Sequence, residues 1–136
     1  MFKGVNIFII MGLVESSNVY VKDTENKGLG VFSRVEIKAD DVIEKGIARR
    51  IDTDGNNNPY LFTWSEDRSQ WAFLSGCATF YNTSLTPNVI VQRDFINDTF
   101  TIKAINDIPK NTELTHTYKS LSWRKCFQGL NVDLHL

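Results

Sequence analysis

Short apolar runs separated by turn-forming residues extend along most of this chain. The runs are rich in β-branched and aromatic residues, and Gly, Asn and Asp occupy the gaps between them. This pattern is typical of short β-strands joined by turns. The strands that it predicts are Val19–Lys22, Gly30–Ser33, Val42–Arg49, Val89–Asp94, Thr99–Ala104 and Glu113–His116.

The connections between these strands carry their own signals. Phe95–Phe100 predicts a hairpin whose turn holds Asn97 and Asp98, and Thr53–Pro59 predicts an exposed polar loop. One helix is predicted over about Glu66–Ser75, because acids occupy its first turn and a glycine follows its end. The sequence therefore predicts a mostly β fold with one short helix.

The first residues partly imitate a signal peptide, since Lys3 precedes the apolar run Val5–Leu13. However, Asn6 and Gly12 interrupt this run, and no small-x-small cleavage site follows it. The run is also too short to span a bilayer. We interpret it as an extra edge strand, or as a segment that lies upstream of a start at Met11.

The composition is that of one globular domain. At 136 residues there is no room for a second full-sized core, and 42% hydrophobic residues with nine Phe and three Trp can build one. The net charge is −1, from 15 basic and 16 acidic residues, so direct nucleic-acid binding is not expected. We expect an intracellular protein, cytoplasmic or nuclear, that is neither secreted nor bound to a membrane.

The cysteines and histidines do not suggest a metal site. Cys77 and Cys126 lie far apart and form no CxxC unit, which is typical of reduced, inert thiols. Only His116 and His135 accompany them. With so few candidate ligands and no paired spacing among the cysteines, no metal is expected.

Three separated segments hold residues that suit a chemical role. Lys27–Ser33 places a Gly-x-Gly at the start of a strand, where a backbone can approach a ligand closely. Asn82–Asn88 interrupts an apolar stretch with amides and hydroxyls, which need partners if they are buried. Asn111–Trp123 alternates along a strand, which puts Leu114, His116 and Tyr118 on one face and Glu113, Thr115 and Thr117 on the other.

Each segment alone also has a purely structural interpretation. The glycines of the first fit a tight hairpin turn, and the second fits an Asx or Ser/Thr turn between strands. A tyrosine at the end of a strand, such as Tyr118, is commonly a half-buried core residue. The order and spacing of the three segments carry more information than any one of them.

Taken together, the three segments resemble the SET-domain protein lysine methyltransferases, and most closely the small single-domain viral SET proteins. They correspond to that family's Gly-x-Gly-Val-Phe element, its Phe-Asn-His-Ser-x-x-Pro-Asn motif and its Glu-Glu-Leu/Ile-Thr-x-x-Tyr motif. The matching residues are Gly28, Leu29, Gly30, Val31 and Phe32, then Tyr81, Asn82, Ser84, Pro87 and Asn88, then Glu113, Leu114, Thr115 and Tyr118.

The resemblance implies a β-clip of small twisted sheets in which the last motif is threaded under a loop as a pseudoknot. That threading would bring the second and third segments together, with Tyr118 near Asn82. We expect a single SET domain over residues 1–136, with a core of about 18–124, an N-terminal extension of 1–17 and a C-terminal tail of 125–136.

The resemblance also implies an activity, the transfer of a methyl group from S-adenosyl-L-methionine to a lysine of a histone or another protein. Tyr118 would be the catalytic residue. The implied cofactor-binding residues are Gly28, Leu29, Gly30, Asn82, Thr83 through its main chain, and Trp123 over the adenine. Trp123 has an alternative role, which is simple packing of the C-terminal tail. His116 and Tyr81 are the residues expected in the substrate channel.

The chain departs from the family pattern at several positions. Thr83 replaces the histidine that follows the first Asn, and Lys119 replaces the glycine that commonly follows the tyrosine. His116 would titrate near neutral pH in the channel, or it would be an exposed strand histidine. No Cys-rich zinc module follows Trp123. The channel would then be completed by residues 124–136 or by a second subunit in a homodimer.

Two other functions fit the sequence. The departures at Thr83 and Lys119 suggest a SET-fold module that binds a peptide or protein partner without turnover. A β-clip protein without methyl chemistry is the third alternative. Binding of the cofactor would separate the third from the first two, and turnover would separate the first from the second.

Overall fold

The computed structural model describes residues 12–118 and 124–127, and in them nine strands form two sheets. The strands are β1 Val19–Asp23, β2 Leu29–Ser33, β3 Val42–Ile51, β4 Phe62–Thr63, β5 Trp71–Leu74, β6 Asn82–Thr83, β7 Val89–Asp94, β8 Thr99–Ala104 and β9 Glu113–His116. The helical segments within these residues are short 3₁₀ turns at Gly55–Asn57, Ala78–Phe80 and Lys125–Phe127. No helix among them is long and apolar enough to cross a membrane.

All six predicted strands are confirmed. The bounds of β7, β8 and β9 are those predicted, and β1, β2 and β3 each extend one or two residues further. The hairpin over residues 95–100 is also confirmed, because β7 pairs with β8 in antiparallel register and Asp98 takes a positive φ of 54° in the turn. The predicted N-terminal edge strand lies mainly outside the described residues.

The predicted helix over Glu66–Ser75 is wrong. Its second half is strand β5, which pairs with both β3 and β4. Its first half is a turn, in which the hydroxyl of Ser65 accepts hydrogen bonds from the amides of Ser69 and Gln70. Arg68 in that turn has a φ of 65°, which a helix does not allow. The acids that suggested a first helical turn therefore lie in a turn that the Ser65 side chain closes.

The two sheets have the orders β1-β2-β9-β6 and β4-β5-β3-β8-β7. Their inward faces share one apolar core, in which Val31 of β2, Ile102 of β8 and Leu114 of β9 are fully buried. Alternation along these strands sends every second side chain inward. The core thus fixes β9, which carries the third chemical segment, against the rest of the domain.

Strand β9 is inserted between two strands from distant parts of the chain. It pairs antiparallel with β2 and parallel with the short strand β6. The loop that follows β6 holds the far side of β9, because the Ser84 amide donates to the His116 carbonyl at 3.1 Å. The Thr117 hydroxyl donates back to the Ser84 carbonyl at 2.6 Å. The prediction that the last motif passes against this loop is confirmed for the part that the structure describes.

The side chain of Asn88 closes this arrangement. Its Nδ2 donates to the Glu113 carbonyl at 2.9 Å, and its Oδ1 accepts the Thr115 amide at 2.8 Å. The side-chain amide of Asn88 thereby bonds the residues before and after Leu114, as the backbone of a neighbouring strand would do. Polar groups that interrupt the apolar sequence at residues 82–88 are therefore the hydrogen-bond partners of β9.

We expect Asn88→Ala to lower the free energy of unfolding by about 2 to 4 kcal/mol, because it leaves one backbone donor and one acceptor without a partner. Urea unfolding measures this change. Asn106→Ala is the matched control, since Asn106 is exposed and such substitutions usually change stability by less than about 0.5 kcal/mol. Equal losses in the two variants would contradict the proposed role of Asn88.

Candidate active site

The Gly-x-Gly segment forms the end of the β1–β2 hairpin. Gly28 has a φ of 76°, and its carbonyl accepts the amide and the hydroxyl of Thr24, both at 2.8 Å. Gly30 is packed so closely that an added Cβ would lie 2.8 Å from Glu113 Oε2 and 3.0 Å from Asn82 Nδ2. A side chain there would displace both groups, so this glycine permits the approach of the other two segments.

The carboxylate of Glu113 joins all three segments. It accepts the ammonium of Lys27 at 2.8 Å on Oε1 and the side-chain amide of Asn82 at 2.8 Å on Oε2. Asn82 also donates to the carbonyl of Leu29 at 3.1 Å. The predicted residues Gly28, Leu29, Gly30 and Asn82 are therefore brought together, and Lys27 and Glu113 belong to the same cluster.

Thr83 has a specific contact in place of the family's histidine. Its Oγ1 accepts the backbone amide of Tyr118 at 3.0 Å, and its Cα pairs with that of His116 across β6 and β9. The threonine thus fixes the chain where it leaves β9. The predicted proximity of Tyr118 to Asn82 is confirmed through this contact with the next residue.

The hydroxyl of Tyr118 donates to the backbone carbonyl of Tyr81 at 2.9 Å. Burial, with a smaller effect from the charge of Glu113, raises the pKa of Tyr118 to about 12. The phenol is therefore neutral at physiological pH. Its single hydrogen is donated to Tyr81, so towards a substrate amine this hydroxyl would act as an acceptor.

Tyr81 is held by a buried carboxyl group that the sequence did not reveal. Its hydroxyl donates to Glu44 Oε1 at 2.8 Å, and Glu44 also accepts the Cys77 amide. Burial raises the pKa of Glu44 and that of Tyr81. The expected role of Tyr81 in the channel is thus limited to its main chain and ring, because its hydroxyl is engaged in the core.

Glu44 escaped prediction because a β-bulge disturbs the alternation of β3. The register with β8 shifts between Val42 and Glu44, and Ile43 and Glu44 are both buried although they are consecutive. Simple alternation would have placed one of them outside. No periodic signal in the sequence marks this bulge.

Tyr118 lies between two concave regions of the surface. One is a narrow cavity of about 30 Å³, and the other is a wider groove of about 330 Å³. Tyr118, His116 and Arg93 border both of them. Tyr81 borders the narrow cavity only, whereas Val89 and Val91 give the groove an apolar wall. The arrangement offers a narrow space beside Tyr118 and a broader groove on the same residue.

His116 is buried, not exposed as one interpretation of the sequence had it. Only 5% of its surface is accessible, and its ring lies 5.1 Å from that of Tyr118 and 6.2 Å from that of Tyr81. Burial, together with the charge of Arg93, lowers the pKa of His116 to about 4. The expected titration near neutral pH is therefore wrong, and the imidazole is neutral there.

Some predicted features lie outside the described residues, namely Trp123 and Lys119. Cys77 and Cys126 are free thiols, and burial raises the pKa of Cys77. Within the described parts of the chain, no group of three His, Cys, Asp or Glu side chains is placed to hold a metal ion.

Comparison with known proteins agrees with this geometry. The model of the SET domain family matches residues 28–119, and the chain belongs to that family. A histone-lysine N-methyltransferase of Schizosaccharomyces pombe, specific for H3 lysine 37, is 28% identical over 115 residues. The match covers 79% of this chain and 77% of that relative.

Solved structures share the fold. A "putative histone methyltransferase" of Plasmodium falciparum has a TM-score of 0.60 and 28% identity, over 74% of this chain and 92% of that one. A humanized mutant of the Chaetomium thermophilum Polycomb Repressive Complex 2 has a TM-score of 0.63 at 18% identity, over 75% of this chain and 15% of its own. The second shows the fold alone. A closer kinship with viral SET proteins stays a prediction.

We expect the stability of the domain to fall on acidification because of His116. The unfolded chain binds a proton near the ordinary pKa of 6.5 and the folded chain only near 4, so the free energy of unfolding falls as pH decreases through this window. Between about pH 7 and about pH 5 the loss is about 2 kcal/mol.

His116→Phe keeps a ring between Tyr81 and Tyr118 but removes the titrating group. Urea unfolding at the two pH values should show about 2 kcal/mol less acid destabilisation in this variant than in the wild type. Glu44 remains in both proteins, so its opposite effect cancels in the comparison. The same pH dependence in both proteins would show that His116 is not buried as a neutral group.

Proposed function

We propose that this protein is an S-adenosyl-L-methionine-dependent protein-lysine N-methyltransferase. The observation that carries the proposal is the position of the Tyr118 hydroxyl. Tyr81 fixes this hydroxyl, and Tyr118 borders a narrow cavity. The backbone of Tyr118 is held by Thr83, the neighbour of Asn82 in the cluster with Lys27 and Glu113. Membership of the SET-domain family supports the same assignment.

The residues of the Lys27–Asn82–Glu113 cluster fit the amino-acid part of the cofactor. Both hydrogens of the Asn82 amide are used, so its Oδ1 is the atom left to accept an ammonium group. Lys27 offers a positive charge for a carboxylate, and space lies open beside Gly28, where an added Cβ would meet nothing within 4 Å. We assign cofactor binding to Gly28, Leu29, Gly30, Asn82 and the main chain of Thr83. Trp123 stays a proposed cover for the adenine.

The cofactor, when bound, supplies an electrophilic methyl group on a sulfonium. The acceptor lysine must be a neutral amine, although the ordinary pKa of lysine is about 10.4. Tyr118 accepts an N–H hydrogen bond from this amine on its hydroxyl oxygen, which points the lone pair of the nitrogen away from the phenol. The apolar walls and the fixed Tyr81 carbonyl hold that orientation, so that positioning contributes most of the rate.

A histone lysine is the acceptor that we propose to test first, because the S. pombe relative is a histone-lysine methyltransferase. A nuclear location would follow from that substrate.

The rival function, a SET-fold module that binds without turnover, had two sequence departures in its favour. One of them, Thr83, now has a structural role in holding the Tyr118 amide, which is compatible with catalysis. A homodimer remains a proposed way to complete the channel.

The cofactor assignment predicts ligand stabilisation. We expect S-adenosylhomocysteine to raise the melting temperature of the wild type, because a ligand that binds only the folded state stabilises it. Asn82→Ala should lose this increase, measured against its own ligand-free melting temperature, whereas Asn106→Ala should keep it. No increase in the wild type at millimolar ligand would exclude the assignment.

The catalytic assignment predicts a selective loss of turnover in Tyr118→Phe. The ring stays, whereas the hydroxyl that orients the amine is removed. Loss of one positioned polar group in such a site lowers the rate by about a hundredfold to a thousandfold. Incorporation of labelled methyl groups into histones and other lysine-containing proteins measures it, with S-adenosylhomocysteine stabilisation unchanged.

Tyr20→Phe is the matched control, because its hydroxyl bonds Asn111 on an exposed part of the molecule. It should keep full turnover. Equal turnover in wild type and Tyr118→Phe would show that Tyr118 is only a core residue. If neither protein transfers methyl groups while both bind S-adenosylhomocysteine, the binding module becomes the better assignment.

A further inference from the structure

Arg93 is a charged residue on the inward face of a strand. Alternation along β7 places it on the same side as the buried residues Val89 and Val91. Its guanidinium has no hydrogen bond or ion pair to the part of the chain that the structure describes, and its Nε is fully buried without an acceptor. Its one polar contact there is with the ring of Phe62, whose centroid lies 5.7 Å away. The side chain as a whole is half-buried, and a guanidinium with a buried, unpaired nitrogen is uncommon enough to need a reason.

The charge of Arg93 acts on the space beside Tyr118. Arg93 borders both the narrow cavity and the wider groove, and no Asp or Glu among the described residues lines either of them. Arg124, which also borders the cavity, donates to the carbonyls of Gly55, Asn58 and Leu61. His116, Tyr81 and Tyr118 face the same space.

These neighbours do not neutralise Arg93. Burial lowers the pKa of Arg93 to about 10, which still leaves the guanidinium charged at neutral pH. The pKa of Tyr118 is raised to about 12 and that of His116 is lowered to about 4, so both are uncharged there. The charge of Glu113 acts on Tyr118, but Glu113 borders neither concave region and is paired with Lys27. The cavity is therefore positive before any substrate enters.

We propose that Arg93 drives the loss of the proton from the acceptor lysine in the cavity beside Tyr118. The inference rests on the proposed function and adds a residue that no family motif includes. A fixed cation in an apolar site destabilises a second cation, so the ammonium form of the substrate is disfavoured relative to the amine. The ammonium gives one proton to water through the groove. The neutral nitrogen then forms the N–C bond as the C–S bond of the methyl donor breaks.

The lack of a counterion supports this role over a structural one. A half-buried charge whose Nε has no acceptor contributes little to the stability of the fold, and an apolar side chain of similar length would pack there without the unpaired nitrogen. We therefore expect Arg93→Met to melt at the same temperature as the wild type or higher. A residue that is unfavourable for folding and borders a reactive site is typical of function.

The decisive experiment is the dependence of kcat on pH for histone methylation by wild type, Arg93→Met and Arg93→Lys. At neutral pH the Met variant should be about tenfold to a hundredfold slower, because fewer bound lysines are neutral. Its rate should approach that of the wild type near about pH 10, where free lysine loses its proton unaided. The Lys variant keeps the charge and should keep the neutral-pH rate. Arg49→Met, at an exposed position, is the control.

Two results would overturn the proposal. An equal loss of kcat at every pH, with a lower melting temperature, would make Arg93 a structural residue. A higher KM with an unchanged pH profile would make it a binding site for an anionic group of the substrate.

An experiment that does not depend on methyl transfer tests this inference separately from the proposed function. The imidazole resonances of His116, identified by their loss in His116→Phe, report the charge in the cavity directly. Removal of Arg93 should raise the pH at which His116 begins to titrate, because Arg93 now lowers its pKa. An unchanged titration would exclude the charge effect even if methyl transfer is found. An absence of methyl transfer in the wild type would overturn the proposed function and, with it, the role of Arg93.

Discussion

The insertion of β9 between β2 and β6 is the constraint on which the site depends. Its two neighbours are far apart in sequence, since β2 ends at Ser33 and β6 begins at Asn82, and each carries one of the other chemical segments. Backbone pairing alone would leave the exit of β9 free. The amide of Asn88 and the hydroxyl of Thr83 fix that exit, so the course of the chain into Tyr118 is set by hydrogen bonds to two residues of the Asn82–Asn88 segment. The same hydrogen bonds that hold β9 in the fold also position the residues of the site, so the site is complete only when the fold is.

Much of this arrangement was predictable, because strands with one buried face leave an alternating pattern. Residues 99–104 and 113–116 alternate cleanly, residues 89–94 begin as a β-branched run, and all three strands have the predicted bounds. The grouping of Gly28, Asn82 and Tyr118 came from the resemblance of three motifs, and the cluster at Glu113 supports it. Alternation along β7 would also have indicated Arg93, since a charge at an inward position is a signal in its own right.

Other features depend on contacts that a local pattern does not contain. Trp71–Leu74 is a strand because β3 and β4 lie beside it, although the preceding acids imitate a helix start. Glu44 is buried because a bulge turns it inward towards Tyr81. The burial of His116 depends on both aromatic neighbours, Tyr81 and Tyr118. In each case tertiary packing decides between two local structures that the sequence leaves nearly equal.

The balance of charge around Tyr118 follows from these packing effects. Burial keeps Tyr118 and His116 neutral, so neither of them places a charge beside the substrate amine. The negative charge of Glu113 is paired with Lys27 on the side of the glycine turn, while the guanidinium of Arg93 stands on the side of the groove without a partner among the described residues. One side is thus suited to the two charges of an amino acid, and the other disfavours an ammonium. A neutral amine is the form of lysine that this second side accepts most readily.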